Sequence, residues 1–454
     1  SGSWIITETF KDKLPKWVSF AKVRGSWAQV GNDTSPYYIN SGYSVATYQR
    51  GDKKFYGMTI PENMKSTNLK PERKNAWEVG LDWRFLDSRI GVDLTYYKEN
   101  TRNQIMTINV PWESGVKEKL INAGNIQNSG IEIALNTTPI KKKQWQWDLN
   151  FTYTRNRNKI VELSPDVTSY INLDGAANYG NYRIASVAKV GSDYGMLMSD
   201  SWIKTDEKTG KPVVGYTNKF RTVYYKRGGT VKEVGSMLPN FLGSLNSTLR
   251  WKDLSLYVLF DARFGGYVAS YNSRYATAYG FSGETEKYRK GMTWTSKYAN
   301  AQDKVFTDGF IPDVVFDAGT IVTTPGGTNQ DVSGMTYQEA YEKGYVEPAH
   351  LQSAAYFKNS WGTGVINDDW FKKINYIALR EITLSYNVPT KISSYIGAKN
   401  LSLSFTGRNL AYLLNTAPNH ENPESVRGTG AAQFRMRSFM PYTASYLFTL
   451  NATF

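Results

Sequence analysis

The chain has 454 residues, no cysteine and two distant histidines, His350 and His420; this excludes disulfides and thiolate metal centres and leaves no histidine pair for a zinc or general-base site. Its formal charge of +14 is dispersed, with the densest basic run at Lys141 to Lys143 in "PIKKKQ", so nucleic acid is not the indicated partner and anionic lipid headgroups or anionic ligands are. No apolar run approaches the roughly 20 residues of a spanning helix, while an aromatic content of 14%, with 32 tyrosines, suits a β-rich protein carrying interfacial girdles or sugar-stacking surfaces.

The opening "SGSWIITETF" has neither an initiator Met nor a signal-peptide stretch, and "SWIIT" reads as the end of a strand. A segment of something longer, or a processed product, is the expectation. Ten full strands follow, at about 17–30, 76–86, 89–101, 127–139, 144–157, 239–251, 253–266, 372–388, 399–413 and 442–454. In "AWEVGLDWRF", Trp77, Val79, Leu81, Trp83 and Phe85 face one way and Glu78, Gly80, Asp82 and Arg84 the other. In "RIGVDLTYY", Ile90, Val92, Leu94 and Tyr96 oppose Asp93 and Thr95. "QWQWDLNFTYTRN" sets Trp145, Trp147, Leu149, Phe151 and Tyr153 against Asp148 and Asn150. "LSLYVLFDARFGG", "REITLSYNV" and "LSLSFTGRN" alternate alike, and the final strand puts Tyr446, Phe448, Leu450, Ala452 and Phe454 on one face. A period of two over about ten residues matches a tilted bilayer-spanning strand.

A β-sandwich would alternate as well, and the connections separate the two architectures. Links at "LDSR", at 141–143 and at 251–252 are short. Between them lie long stretches at about 31–75, 98–127, 158–238, 267–371 and 413–441. Strict alternation of short and long is the habit of an outer-membrane barrel, with short periplasmic turns and long extracellular loops. The fold expected is therefore all-β, a transmembrane antiparallel β-barrel to which this chain gives ten or eleven strands. Phe85, Trp145, Trp147 and Trp251 beside short links, and Trp27, Tyr96 and Tyr153 at the opposite ends, would form its two interfacial girdles. Asp82, Arg84, Asp93, Asp148, Asp261, Arg263, Glu381 and Arg408 would face the lumen, pairing with a plug or with each other because unpaired buried charge is costly.

Several stretches resemble the SusC/RagA family of TonB-dependent outer-membrane transporters from Bacteroidetes: "VRGSWAQVGND", "LKPERKNAWEVGLDWRFLDSRIGVDLTYYKENTRNQI", "NAGNIQNSGIEIALNTTPI", "DARFGGYV", "IALREITLSYNVP", "LSFTGRNLAYLL" and the last strand. They span nearly the whole chain in the family's order. The resemblance implies a barrel of about 22 strands, near the top of the usual range for such proteins, with the C-terminal half supplied here. It also implies a plug and a TonB box that this chain does not contain, coupling to the TonB complex, and a SusD-like surface lipoprotein as lid; receptor–lipoprotein pairs could assemble further. The C-terminal strand, with Phe448, Leu450 and the terminal Phe454, resembles the signal read by the outer-membrane assembly machinery, although Phe454 could equally be the last lipid-facing residue.

No HExxH, Walker A, GxSxG or GxGxxG is present, so no catalytic residue, cofactor or metal is indicated. Asp368 and Asp369 in "NDDW", and Glu421 with Glu424 in "NHENPES", read as solvated loop acids; "NDDW" lacks the spaced oxygen ligands of a calcium loop. Tyr267, Tyr271, Tyr275 and Tyr279 recur every four residues, which could set an aromatic platform for a sugar or peptide on a helix, or pack that helix on the barrel rim. Two functions stay open. One is active import of a large nutrient, glycan or oligopeptide, through a SusCD-type complex in outer-membrane lipid. The other is a structural SusC-like barrel scaffolding a larger outer-membrane assembly or secretion machine.

Overall fold

The computed structural model describes the chain apart from residues 11–12, 41, 111, 123, 166, 168–169, 174–183, 280, 284–290, 350–365, 369–370, 427–433 and 437–440. His350 and Asp369 fall outside the described residues. Eleven strands run antiparallel in strict chain order: β1 (Gly2–Ile5), β2 (Val18–Asn32), β3 (Glu72–Phe85), β4 (Ile90–Arg102), β5 (Gly124–Lys141), β6 (Trp145–Leu163), β7 (Phe241–Trp251), β8 (Leu254–Ser270), β9 (Phe371–Val388), β10 (Asn400–Asn415) and β11 (Ser445–Thr453). These are the strands that alternation predicts. Among the described residues the sheet is open, with β1 and β11 at its edges. A two-residue strand, Arg435–Met436, adds to the far end of β8 in parallel.

The register turns alternation within strands into continuous rows across them. Ile140, Trp147, Leu249, Leu256, Leu384, Phe405 and Phe448 stand opposite one another from β5 to β11. Val23, Leu81, Leu94, Ile133 and Tyr153 do the same from β2 to β6. One face of the sheet is therefore a contiguous apolar surface, and its large side chains stay uncovered: Leu384 is 45% exposed and Phe448 87%. A surface of this size would be unstable in water and matches hydrocarbon.

β5 and β6 have 18 and 19 residues and outrun the expected strands by several positions at the end with long connections. There both faces are wet or covered by loop, so alternation fades from the sequence while the ladder continues.

The long connections fold as well. Residues 203–227, from the β6–β7 connection, and 305–349, from the β8–β9 connection, build one core. Val213 and Val214 pair in parallel with Val315 and Phe316, and Val214 with Thr217 closes a hairpin on Thr222–Tyr225. Val214, Val223, Phe316, Val322, Val332, Tyr337 and Ala340 are buried together. A short helix, Tyr337–Glu342, is closed by a capping box in which the Thr336 hydroxyl accepts from Glu339 N and the Glu339 carboxylate accepts from Thr336 N. Lys204 and Lys226 both bind Asp317, and Lys211 binds Asp313, so charge as well as packing joins the two connections.

Candidate functional site

The polar face of the sheet carries a lattice of ion pairs. Arg24 donates to both carboxylate oxygens of Asp93 at 2.9 Å and to Thr95 at 2.6 Å. Asp82 lies 3.4 Å from Arg84. Asp148 accepts from Arg250, Thr138 and Gln146. Glu381 accepts from Arg408 at 2.9 Å and from Thr383. Arg263 is held differently: its guanidinium donates to the carbonyls of Gly265 and Met237, tying β8 to the preceding connection. Cross-strand pairing of this kind neutralises a wall without a ligand.

Asp261 takes part in a larger cluster. It accepts from Arg380 at 2.9 Å, and Arg380 also donates to Glu424 at 2.6 Å. Glu424 accepts from the Tyr412 hydroxyl at 2.7 Å, and Tyr412 is 3.1 Å from Asn422 Oδ1. Burial pushes the Glu424 carboxyl up, but Arg380 and Tyr412 outweigh it and hold it below the usual carboxylate range. The Glu421 carboxyl is raised by burial, partly offset by the Ser270 hydroxyl that donates to it. A cavity of about 230 Å³ beside the cluster is lined by Arg380, Asn409, Tyr412, Asn422, Glu424 and Tyr442. That volume holds one sugar ring or one side chain, so it is a foothold for part of a larger ligand.

Arg24, Arg250 and Arg380 are the partners that alternation does not single out. Arg380 has a visible signal. In "IALREITLSY" the apolar phase changes from Ile377 and Leu379 to Ile382 and Leu384, and the structure has register shifts at that point on both neighbours. The bulge turns two successive charged residues to the polar face.

The four spaced tyrosines separate. Tyr267 lies in β8, stacked on Phe371 at 5.8 Å. Tyr271 opens the helix α1 (Tyr271–Ala278) and is 3% exposed, in a cluster with Met237, Phe371 and Phe434. Tyr275 packs against the same cluster, whereas Tyr279 is 64% exposed. Only Tyr279 of the four offers most of its ring to solvent.

The aromatic residues sort by end. Trp145 stacks on Trp251 at 5.5 Å and Phe85 meets Trp17 at 5.5 Å beside the short links. At the other end Trp27 stands opposite Trp77, Trp77 meets Tyr96 at 5.3 Å, and Tyr153 meets Phe241 at 5.3 Å. Trp147 donates to Ser247. On β11, Phe448 packs against Phe405 at 4.8 Å, Leu450 is opposite Leu403, and the carbonyl of Phe454 accepts from Lys399. Asp368 accepts from Ile203 N, and among the described residues no group of three or more His, Asp or Glu could hold a metal ion.

A family model described as "TonB dependent receptor-like, beta-barrel" matches residues 9–195. TonB-dependent receptor P26 of Formosa agariphila is 23% identical over 90% of this chain, and TonB-dependent receptor SusC of Bacteroides thetaiotaomicron is 28% identical over 46%. The matched regions span 37% and 21% of those proteins, so the chain corresponds to well under half their length. In structure the chain superposes over its full length on 43% of a chain in the RagAB peptide transporter, with a TM-score of 0.64 at 14% identity. Strand order, register and these likenesses agree: the chain is similar to TonB-dependent receptors, SusC among them, and has the fold of their barrel wall.

Proposed function

We propose that the protein imports a large polar nutrient, an oligopeptide or glycan, across the outer membrane in a step energised through TonB, with a SusD-like lipoprotein as its lid. The observation that carries this reading is the two-faced wall: an apolar face for lipid, and a polar face whose charges are neutralised in pairs and so leave a wet, weakly binding lumen. In this reading Asp82, Arg84, Asp93, Asp148, Asp261, Arg263, Glu381 and Arg408 line the passage. The short links are periplasmic, the long connections extracellular, and Trp27, Tyr96, Tyr153, Phe85, Trp145, Trp147 and Trp251 mark the two interfaces. The cluster of Arg380, Glu424 and Tyr412 supplies both donors and acceptors to one unit of a peptide or glycan, and Tyr279 offers a ring to stack on it. The likeness to a chain of the RagAB peptide transporter supports the oligopeptide as one of these two ligand classes.

The test is uptake of a fluorescent oligopeptide and of a fluorescent oligosaccharide by cells with and without the receptor, before and after a protonophore. Receptor-dependent uptake of one of them, abolished by the protonophore, is expected. Uptake that is indifferent to the receptor, or to the protonophore, overturns the proposal. Deleting Phe454 should lower the amount of inserted receptor and leave uptake per inserted molecule unchanged, as quantified by surface labelling; normal insertion would reduce Phe454 to a lipid-facing residue.

A further inference from the structure

On β6 the residues that follow Tyr153 on the apolar face are Arg155, Arg157 and Lys159. In register, Arg155 stands opposite Ile131, which is opposite Tyr96. Arg157 is opposite Ser129, and Ser129 is opposite Lys98, next to Trp77 and Trp27 in the same row. Three cations thus share the upper aromatic rows and Lys159 lies just beyond them, all on the face of the wall that carries Tyr153. On the polar face Arg24, Arg84, Arg250, Arg380 and Arg408 each bind a carboxylate. Here, among the described residues, Lys98, Arg155, Arg157 and Lys159 have no carboxylate within ion-pair distance.

A cavity of about 860 Å³ opens where β6 and β7 diverge. Arg155, Arg157 and Lys159 line it together with Tyr153, Phe241 and Asp193. Its aromatic lining leads on to the apolar face, because Phe151 and Leu245 are the next pair below Tyr153 in the register.

Depth identifies the ligand. A strand rises about 3.4 Å per residue, so Arg157 lies about 14 Å along β6 from Tyr153, or about 10 Å along the membrane normal at a tilt near 40°. The headgroup layer extends about 5–8 Å beyond the hydrocarbon on each side. Long side chains at Arg155 and Arg157 therefore reach it, with Tyr153 and Phe241 at the hydrocarbon border. Two guanidinium forks and an ammonium match the oxygens of a phosphate, and an aromatic lining leading to the apolar face matches acyl chains.

We propose that this cavity binds the phosphate-bearing headgroup of an outer-leaflet lipid. The inference rests on the orientation given under the proposed function, with the long connections outside, and it assigns lipid rather than nutrient to these cations. The bound lipid would fill the gap between β6 and β7 and brace the wall beneath the two-connection module.

The test uses the receptor extracted from its own membrane in mild detergent, with dioleoyl phosphatidic acid as the probe and native mass spectrometry as the readout. Replacing Arg155, Arg157 and Lys159 together by Gln should weaken binding about a hundredfold, at roughly fivefold per cation. The same change at Lys141, Lys142 and Lys143, beside a short link, should leave it unaltered. Equal binding by the first variant and the parent overturns the proposal. Displacement of the lipid by excess inorganic phosphate makes this a soluble-anion site and also overturns it, as does equal binding of dioleoyl phosphatidylcholine. If the triple variant does not assemble, Arg155→Gln and Arg157→Gln serve singly, each expected to weaken binding about fivefold, and no change in either overturns it. Uptake lost with lipid binding intact breaks the importer reading alone; lipid binding absent with uptake intact breaks this one alone.

Discussion

The wall and the module made by residues 203–227 and 305–349 are both β-structures, yet they are stabilised by opposite arrangements. The wall pairs neighbours in sequence and leaves its large apolar side chains outside, where Leu384 and Phe448 face lipid. The module pairs strands about a hundred residues apart and buries its apolar side chains inside, with Phe316 1% exposed and stacked on Tyr337 at 5.5 Å. One is a membrane protein by solvent and the other a water-soluble domain by solvent, in a single chain. The comparison teaches that position relative to the bilayer, more than strand propensity, decides which residues a strand exposes.

The largest expected effect that could break this contrast is Phe316→Ala. Removing a fully buried ring should cost the module about 3–5 kcal/mol. Limited proteolysis should then cut within 203–227 and 305–349 while the wall strands stay intact; simultaneous loss of the wall would mean that the two regions unfold as one unit. Leu81→Arg addresses the other side. Leu81 sits mid-row between Val23 and Leu94, and an arginine at mid-depth should cost about 2–4 kcal/mol in urea unfolding from lipid vesicles. Protease resistance of the module should not change.

Acid should separate the regions more gently. Burial raises the Asp317 carboxyl, but Lys204 and Lys226 outweigh that and leave it below the usual carboxylate range. Its stabilisation is therefore present above the ordinary carboxylate pKa near 4 and is lost as pH falls through the depressed value. Pepsin sensitivity of the module should rise across that window. Asp317→Asn, expected to cost about 1 kcal/mol, should flatten the dependence. The smallest effect belongs to Tyr279→Ala, which should shift thermal stability by under about 0.5 kcal/mol because the ring is mostly exposed. A fall in uptake affinity without that shift would sharpen Tyr279 into a ligand contact, and unchanged uptake would remove it from the list of contacts.

Alternation made the wall legible because each spanning strand meets two solvents at a fixed period. "AWEVGLDWRF" states its faces outright. The continuation "RNRNKIVEL" on β6 does not, since beyond the hydrocarbon both faces carry polar residues, and the strand runs on to Leu163. The module was illegible for a related reason. "VVGYT" and "VF" are too short for a period, and their parallel pairing joins segments that sequence gives no reason to bring together. At Arg380 the charge was visible and the bulge that turns it inward was not. Among the spaced tyrosines the interval of four holds on α1 from Tyr271, but Tyr267 belongs to the strand before it, so a helical count begun there mixes two geometries.

Because Val213 and Val214 are the strand partners of Val315 and Phe316, the β6–β7 and β8–β9 connections are one inheritable unit. An insertion or a change of register in either would strand the apolar residues of the other in water. Lineages that alter what this surface meets must therefore change both segments in concert, and natural variation should be found as matched pairs of connections on a constant wall.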